Sequence, residues 1–166
     1  MFKNSNIIKS EEINLILSWL DKKPKKVNLL LDSNIDGDLN STFYEKFKNK
    51  NPTMIFVKTT ENLRFWGYTS VNWPEKDFNK DDKSFLFSLD KKKKYRIEEK
   101  EKAIYYSNNT CFCFGNGCDL YITDKCISKY DNQVGNRSYD LPSKYELNKG
   151  KKNFKVSRYE VYHLQY

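Results

Sequence analysis

Cys111-Phe112-Cys113-Phe114-Gly115-Asn116-Gly117-Cys118-Asp119-Leu120-Tyr121-Ile122 is the stretch on which the fold turns. It reads as two short strands joined by a tight reversal. Aromatic and branched residues favour strands, and two glycines bracketing one residue open backbone conformations closed to residues with a Cβ. Three of the four cysteines lie inside it, so any metal, redox or catalytic centre is expected here first. Cys111 and Cys113 fall on one face of the first strand, Phe112 and Phe114 on the other.

Around this hairpin the chain carries 11 Phe, 12 Tyr and 3 Trp in 166 residues. That length suits one domain that buries roughly 70% of its unfolded surface, and the aromatic excess predicts a β-rich core. No window approaches the roughly 18 apolar residues of a membrane span, and Met1-Phe2-Lys3-Asn4 lacks an apolar signal core. A cytoplasmic, non-secreted protein is therefore expected, with reduced thiols rather than a disulfide framework. The glycosylation triplets beginning at Asn40, Asn108 and Asn136 carry no meaning without secretion. The net charge is +8, but 26 of the 30 basic residues are Lys and 18 Asn accompany them. Phosphate and base readout favours the guanidinium fork, so the composition argues against nucleic acid as a partner.

Ser10-Glu11-Glu12 opens the clearest helix, with Ser10 as cap and Ile13, Ile16, Leu17 and Leu20 on one face together with Trp19. It ends by Pro24, among Lys22, Lys23, Lys25 and Lys26. Val27 to Asp32 reads as a buried strand, and Ser33 to Asp38 as a polar turn. The alternating acids there do not make a calcium loop, because Phe43 stands where the bidentate glutamate belongs. Thr42-x-x-Glu45 predicts a capping box for a helix burying Phe43 and Phe47. Thr53 to Lys58 and Leu63 to Ser70 predict a hairpin, with Arg64, Trp66, Tyr68 and Ser70 on one face and Leu63, Phe65, Gly67 and Thr69 on the other. Glu75 to Lys83 reads as a mobile loop, Ser84 to Leu89 as a strand, and Lys91, Lys92, Lys93 and Lys94 as a turn before further strands at 95–97 and 103–106. Thr123 to Ser143 reads as one long surface loop. Asn153 to Leu164 is the last strand, its change of hydrophobic phase predicting a bulge near Ser157-Arg158.

The chemistry these residues offer is thin. Cys111-x-Cys113, Cys118, Cys126 and one histidine do not make a recognisable zinc spacing. Gly115-x-Gly117 lacks the third glycine and the following helix of a dinucleotide site. Asp119 beside the turn reads as an anchor for backbone amides, and no third group orients His163 with a cysteine nucleophile. No metal and no cofactor is expected.

The order of the pieces nevertheless resembles the TLDc domain family, the module of oxidation-resistance proteins. The resemblance rests on Leu29-Leu30-Leu31 with Asp36-Gly37, the helix carrying Phe43, Asn51-Pro52-Thr53, Gly67-Tyr68-Thr69-Ser70 with Trp73, and Ser84 to Leu89. It continues through Phe114-Gly115-x-Gly117-x-Asp119-Leu120, Ser138-Tyr139, and Phe154-x-Val156 with Glu160-Val161. The resemblance covers roughly Ile13 to Leu164, and the chain is read as an N-terminal helix and lead-in, 1–24, and a TLDc-like domain, 25–166, within one globular unit. It implies an α+β, β-rich fold, a two-sheet antiparallel sandwich flanked by short helices. It also implies protection against oxidative stress and binding to the vacuolar proton-pumping ATPase, with no catalytic constellation. The Lys/Asn-rich variant looks like a protist member standing as a single domain. It departs from the family at Asp38, where an aromatic is usual, at Trp66, usually glycine, and at Cys118, often histidine; the arginine usual before Asp36-Gly37 is absent.

The leading expectation is a non-enzymatic interaction module for a large protein complex such as that pump, associated with a membrane only through its partner. Trp19, Lys22, Lys23, Lys25, Lys26 and Lys91 to Lys94 are the candidate contacts. The alternatives are an accessory subunit anchored through the N-terminal helix, which would leave the domain folded when 1–24 are deleted, and a redox sensor using Cys111, Cys113 or Cys118.

Overall fold

The structure, a computed structural model, describes residues 1–107 and 111–166, and of Cys111 the backbone alone. The expectations on Asn108 and on the Cys111 thiol lie outside the described residues. Two antiparallel sheets of six strands pack face to face. The first has the order β1 (Lys26–Asp32), β12 (Val156–Gln165), β2 (Thr53–Thr59), β3 (Arg64–Thr69), β5 (Phe85–Ser88), β6 (Lys93–Arg96). The second has the order β11 (Asn153–Phe154), β10 (Asn132–Val134), β9 (Leu120–Thr123), β8 (Cys111–Phe114), β7 (Ile104–Ser107), β4 (Asp77–Asn79). The β-rich α+β sandwich read from the sequence is the fold observed.

The core between the sheets is aromatic. Phe112 and Phe114 point inward from β8 to Trp73, at ring separations of 6.0 and 5.5 Å. Helix α3 (Asn40–Phe47) lays Phe43 flat on Phe112, 3.7 Å away and 6° from parallel. Gly67 gives the second sheet its closest approach: a Cβ there would lie 2.9 Å from Phe114 Cζ. Trp66, expected on the face of Arg64 and Tyr68, instead puts its ring toward Phe112, Phe114 and Phe154. Its cross-strand neighbours Phe56 and Phe87 meet each other at 5.0 Å, which leaves no room for an indole on their side.

The outer face of the first sheet is covered by the chain's own N-terminal segment. A 3₁₀ turn (Ser10–Glu12) leads into α1 (Ile13–Ser18). Phe2 packs edge-on against Phe56 and Tyr162, and Trp19 stacks on Phe87 at 5.5 Å. The turn is capped at Lys9 rather than Ser10, because the Glu12 carboxylate accepts the Lys9 amide at 2.9 Å. Arg64 then grips Glu12 with both terminal nitrogens, at 2.8 and 2.7 Å. Covered on both sides, β2 is buried along almost its whole length. That is why Met54 to Val57 run hydrophobic without alternation.

Several sequence boundaries shift. β1 is an edge strand with Leu29 exposed, not a fully buried one. Ser33 to Asp36 forms one helical turn, α2, capped by Asp32. α3 begins at Asn40, not Thr42, because Asp124 accepts the Asn40 amide from 84 residues away and replaces the predicted box. The Glu75 to Lys83 segment contributes β4, and the supposed loop 123–143 contains β10; each is short enough to be recognised only by what it pairs with. Lys93 and Lys94 belong to β6, so the four lysines do not form one turn. The predicted bulge is present as a register shift between Val156 and Arg158. No helix among the described residues is long and apolar enough to cross a membrane.

Candidate functional site

One group of the family-like residues, Phe114, Gly115, Gly117, Asp119, Leu120, Ser138 and Tyr139, gathers at the β8–β9 reversal. Gly115 and Gly117 both take positive φ, +86° and +81°, and Cys118 follows at 60°. A Cβ at Gly115 would meet the Asp119 carboxyl at 3.0 Å, and one at Gly117 would meet Arg137. The glycines therefore serve both the turn and the approach of two polar side chains.

Asp119 is buried and accepts three consecutive amides, from Arg137, Ser138 and Tyr139, at 2.5, 2.6 and 3.0 Å. Burial pushes its carboxyl above the ordinary value while the three amides work in the other direction. Ser138 Oγ accepts the Asn116 amide at 2.8 Å and donates to Glu99 at 3.1 Å. A serine beside a glutamate suggests a nucleophile and base, but this hydroxyl is fully buried and engaged on both sides. Tyr139 donates to the Ala103 carbonyl at 2.9 Å and lies 2.7 Å from Ser84 Oγ, which bonds the Tyr68 carbonyl. The Ser138-Tyr139 pair thus ties the second sheet to the first.

Cys113 and Cys118 form a disulfide, their Cα atoms 5.4 Å apart. This corrects the expectation of reduced thiols: the reversal folds the end of β8 back on itself and brings the two sulfurs together. Cys126 is buried as a thiol, and burial pushes its pKa up. His163 lies in the first sheet and both disulfide cysteines at the second, so no cysteine–histidine pair is assembled from them.

Asp36 is a helix-terminal anchor, accepting the Asp32 amide at 2.9 Å and Lys46 at 2.8 Å. Asp32 pairs with Arg158 and caps α2. Glu160, fully buried, accepts Ser5, Asn6 and Tyr162 at 2.5, 2.8 and 2.8 Å and so holds the N-terminal segment. Asp38 accepts the Ile127 amide at 2.8 Å. Gly37 at φ +88° has open space around it. Thr69 and Ser70 both bond the buried Asp81, at 2.7 Å each, and Trp73 donates to Thr53 at 3.0 Å. Asp81 and Glu99 went unmarked in the sequence. The signal for Asp81 was a pair of adjacent hydroxyls that need an acceptor when buried.

The candidate contact residues do not form one patch. Lys91 pairs with Glu146 at 2.6 Å. Lys23, Lys25, Lys26, Lys92 and Lys93 are exposed. Trp19 and Lys22 of the N-terminal segment and the distant Lys94 of β6 line a common groove. Among the described residues no group of three or more His, Cys, Asp or Glu is placed to hold a metal ion.

No curated protein matches the chain. The family model of the TLDc domain matches residues 1–165, which includes the N-terminal segment and every element described above. With the glycine reversal, the Asp119 anchor and the two-sheet sandwich in their expected order, the chain belongs to the TLDc domain family.

Proposed function

We propose that this chain is a non-enzymatic interaction module that binds a large protein complex. The vacuolar proton-pumping ATPase is the partner implied by the family resemblance, and oxidative-stress protection is the process. The observation that carries this reading is the engagement of the reactive-looking groups. Asp119, Ser138, Glu160 and Asp81 are all buried, and each holds backbone or neighbouring hydroxyls in place. What the molecule offers a partner is its surface. Affinity purification from the native cell with mass-spectrometric readout tests it. Pump subunits should be recovered; their absence, with the pump disassembling normally in cells lacking the protein, would remove this partner.

The Cys113–Cys118 pair favours a second reading, a thiol sensor. Reduction would release the turn that carries Asp119. Labelling of these thiols in native protein treated with dithiothreitol supports a sensor; labelling only after denaturation removes it.

A further inference from the structure

The groove that unites Trp19, Lys22 and Lys94 has a volume of about 370 Å³. Tyr68 and Phe85, stacked at 4.9 Å and 19°, line it together with Trp19, Leu20 and Tyr166. Lys94 lies over the Phe85 ring at 4.3 Å and donates to the Trp19 carbonyl at 2.6 Å, at the C-terminal end of α1. The groove adjoins a second cavity of about 290 Å³, which shares Asp21, Asp82, Lys83, Phe85 and Lys94 and adds Arg96.

Lys94 differs from the lysines that form ion pairs. Lys46, Lys48, Lys80, Lys91 and Lys151 each reach a carboxylate. Lys94, half-buried, is held by a carbonyl and a ring; among the described residues no ion pair includes it, and Asp21 acts on it only at longer range. Burial lowers its pKa, so its lost hydration is incompletely replaced. An ammonium has three donors, and a carboxylate meeting one at this partly desolvated position gains more than on open surface. The walls carry both signs with the basic residues in excess: Lys22, Lys83 and Lys94 stand against Asp21 and Asp82 in the groove, Arg96 is added in the adjoining cavity, and none of these four bases forms an ion pair among the described residues.

We propose that this groove receives an acidic peptide segment of a protein partner, with an apolar side chain on Tyr68 and Phe85 and a neighbouring carboxylate at Lys94. It rests on the reading of the chain as a protein-binding module and names the surface used. A lipid surface fits less well, because a flat headgroup layer does not reach a half-buried ammonium inside a concave groove.

The test is an amide chemical-shift titration of the full chain with an acetylated hexapeptide alternating leucine and glutamate, against its glutamine counterpart. Saturable shifts should cluster around Lys22, Lys83, Phe85 and Lys94, with the glutamine peptide weaker by about tenfold, as expected for losing a charge-assisted hydrogen bond. Lys83→Gln and Lys22→Gln, at exposed positions, should each weaken binding by about threefold at a rim ion pair's worth. Lys94→Met should weaken it more. Equal affinity for both peptides, shifts elsewhere, or no saturable shift overturns the proposal. So does binding to phosphatidylserine vesicles that Lys83→Gln abolishes while the peptides leave the spectrum unchanged. Purification with the Lys22→Gln/Lys83→Gln variant separates the two readings. Partners kept by the variant overturn the groove alone; no partner with either protein overturns the module, while the titration still decides the groove.

Discussion

Asp119 is a single carboxylate satisfying three amides of one distant loop, 18 to 20 residues away. Asparagine is nearly isosteric but offers one acceptor oxygen, so Asp119→Asn strands buried amides. A loss of about 3 kcal/mol is expected by urea denaturation, the cost of unsatisfied donors that had met a charge. Charge matters differently at the surface. Lys46 holds the Asp36 carboxyl below its ordinary value, and Lys91 does the same for Glu146. A carboxyl whose folded pKa is depressed contributes stability above its unfolded value, near pH 4, and loses it as pH falls through the folded value. Asp36→Asn and Glu146→Gln should each cost about 0.5 kcal/mol at pH 7. Each should also flatten the acid limb of stability below about pH 4.5, measured by denaturation at several pH values. The anchoring role of Asp119 was legible because a lone aspartate after a glycine turn bonds backbone. Its three donors were not, since nothing local selects residues 137–139, and Asp81 is signalled only indirectly, by the adjacent hydroxyls of Thr69 and Ser70.

At the scale of elements, the N-terminal segment behaves as part of the sandwich. It is held by Arg64 on Glu12, by Lys94 on the Trp19 carbonyl, and by Glu160 on Ser5 and Asn6. Arg64→Met would leave Glu12 nearly buried without its counter-charge, at a cost of about 3 kcal/mol. Deleting residues 1–24 would uncover Phe56, Phe87 and Tyr162, each worth roughly 1.5–3 kcal/mol of burial. That approaches the whole stability of a small domain. The truncated protein should therefore be unfolded or aggregated by circular dichroism and light scattering, against the expectation that it stays folded. The amphipathic pattern of Ile13 to Leu20 disclosed an apolar face. It did not disclose what the face covers, because periodicity specifies a helix's stripe and not its target.

For the molecule as a whole, the two sheets share one aromatic core in which Trp66 and Trp73 sit between them. Tryptophan fluorescence and far-ultraviolet dichroism should report a single, coincident thermal transition; separate midpoints would mean the sheets melt independently. Strand types and the β8–β9 reversal were readable from alternation and glycine. Strand order was not, and β4 and β10, three residues each, gave no periodicity to read. The disulfide is not legible in the sequence, because the pairing of Cys113 with Cys118 depends on the path of the Gly115–Gly117 reversal. One arrangement reaches beyond the finished fold. Lys155 separates β11 in the second sheet from β12 in the first, and β12 lies between β1 and β2. The last strand of this domain to leave a ribosome is thus an interior strand, and its absence leaves β1 and β2 with open edges facing each other. A nascent chain carrying everything up to residue 155 cannot close its first sheet, so this domain matures only after synthesis has passed its final strand, and chaperones have that whole interval in which to act.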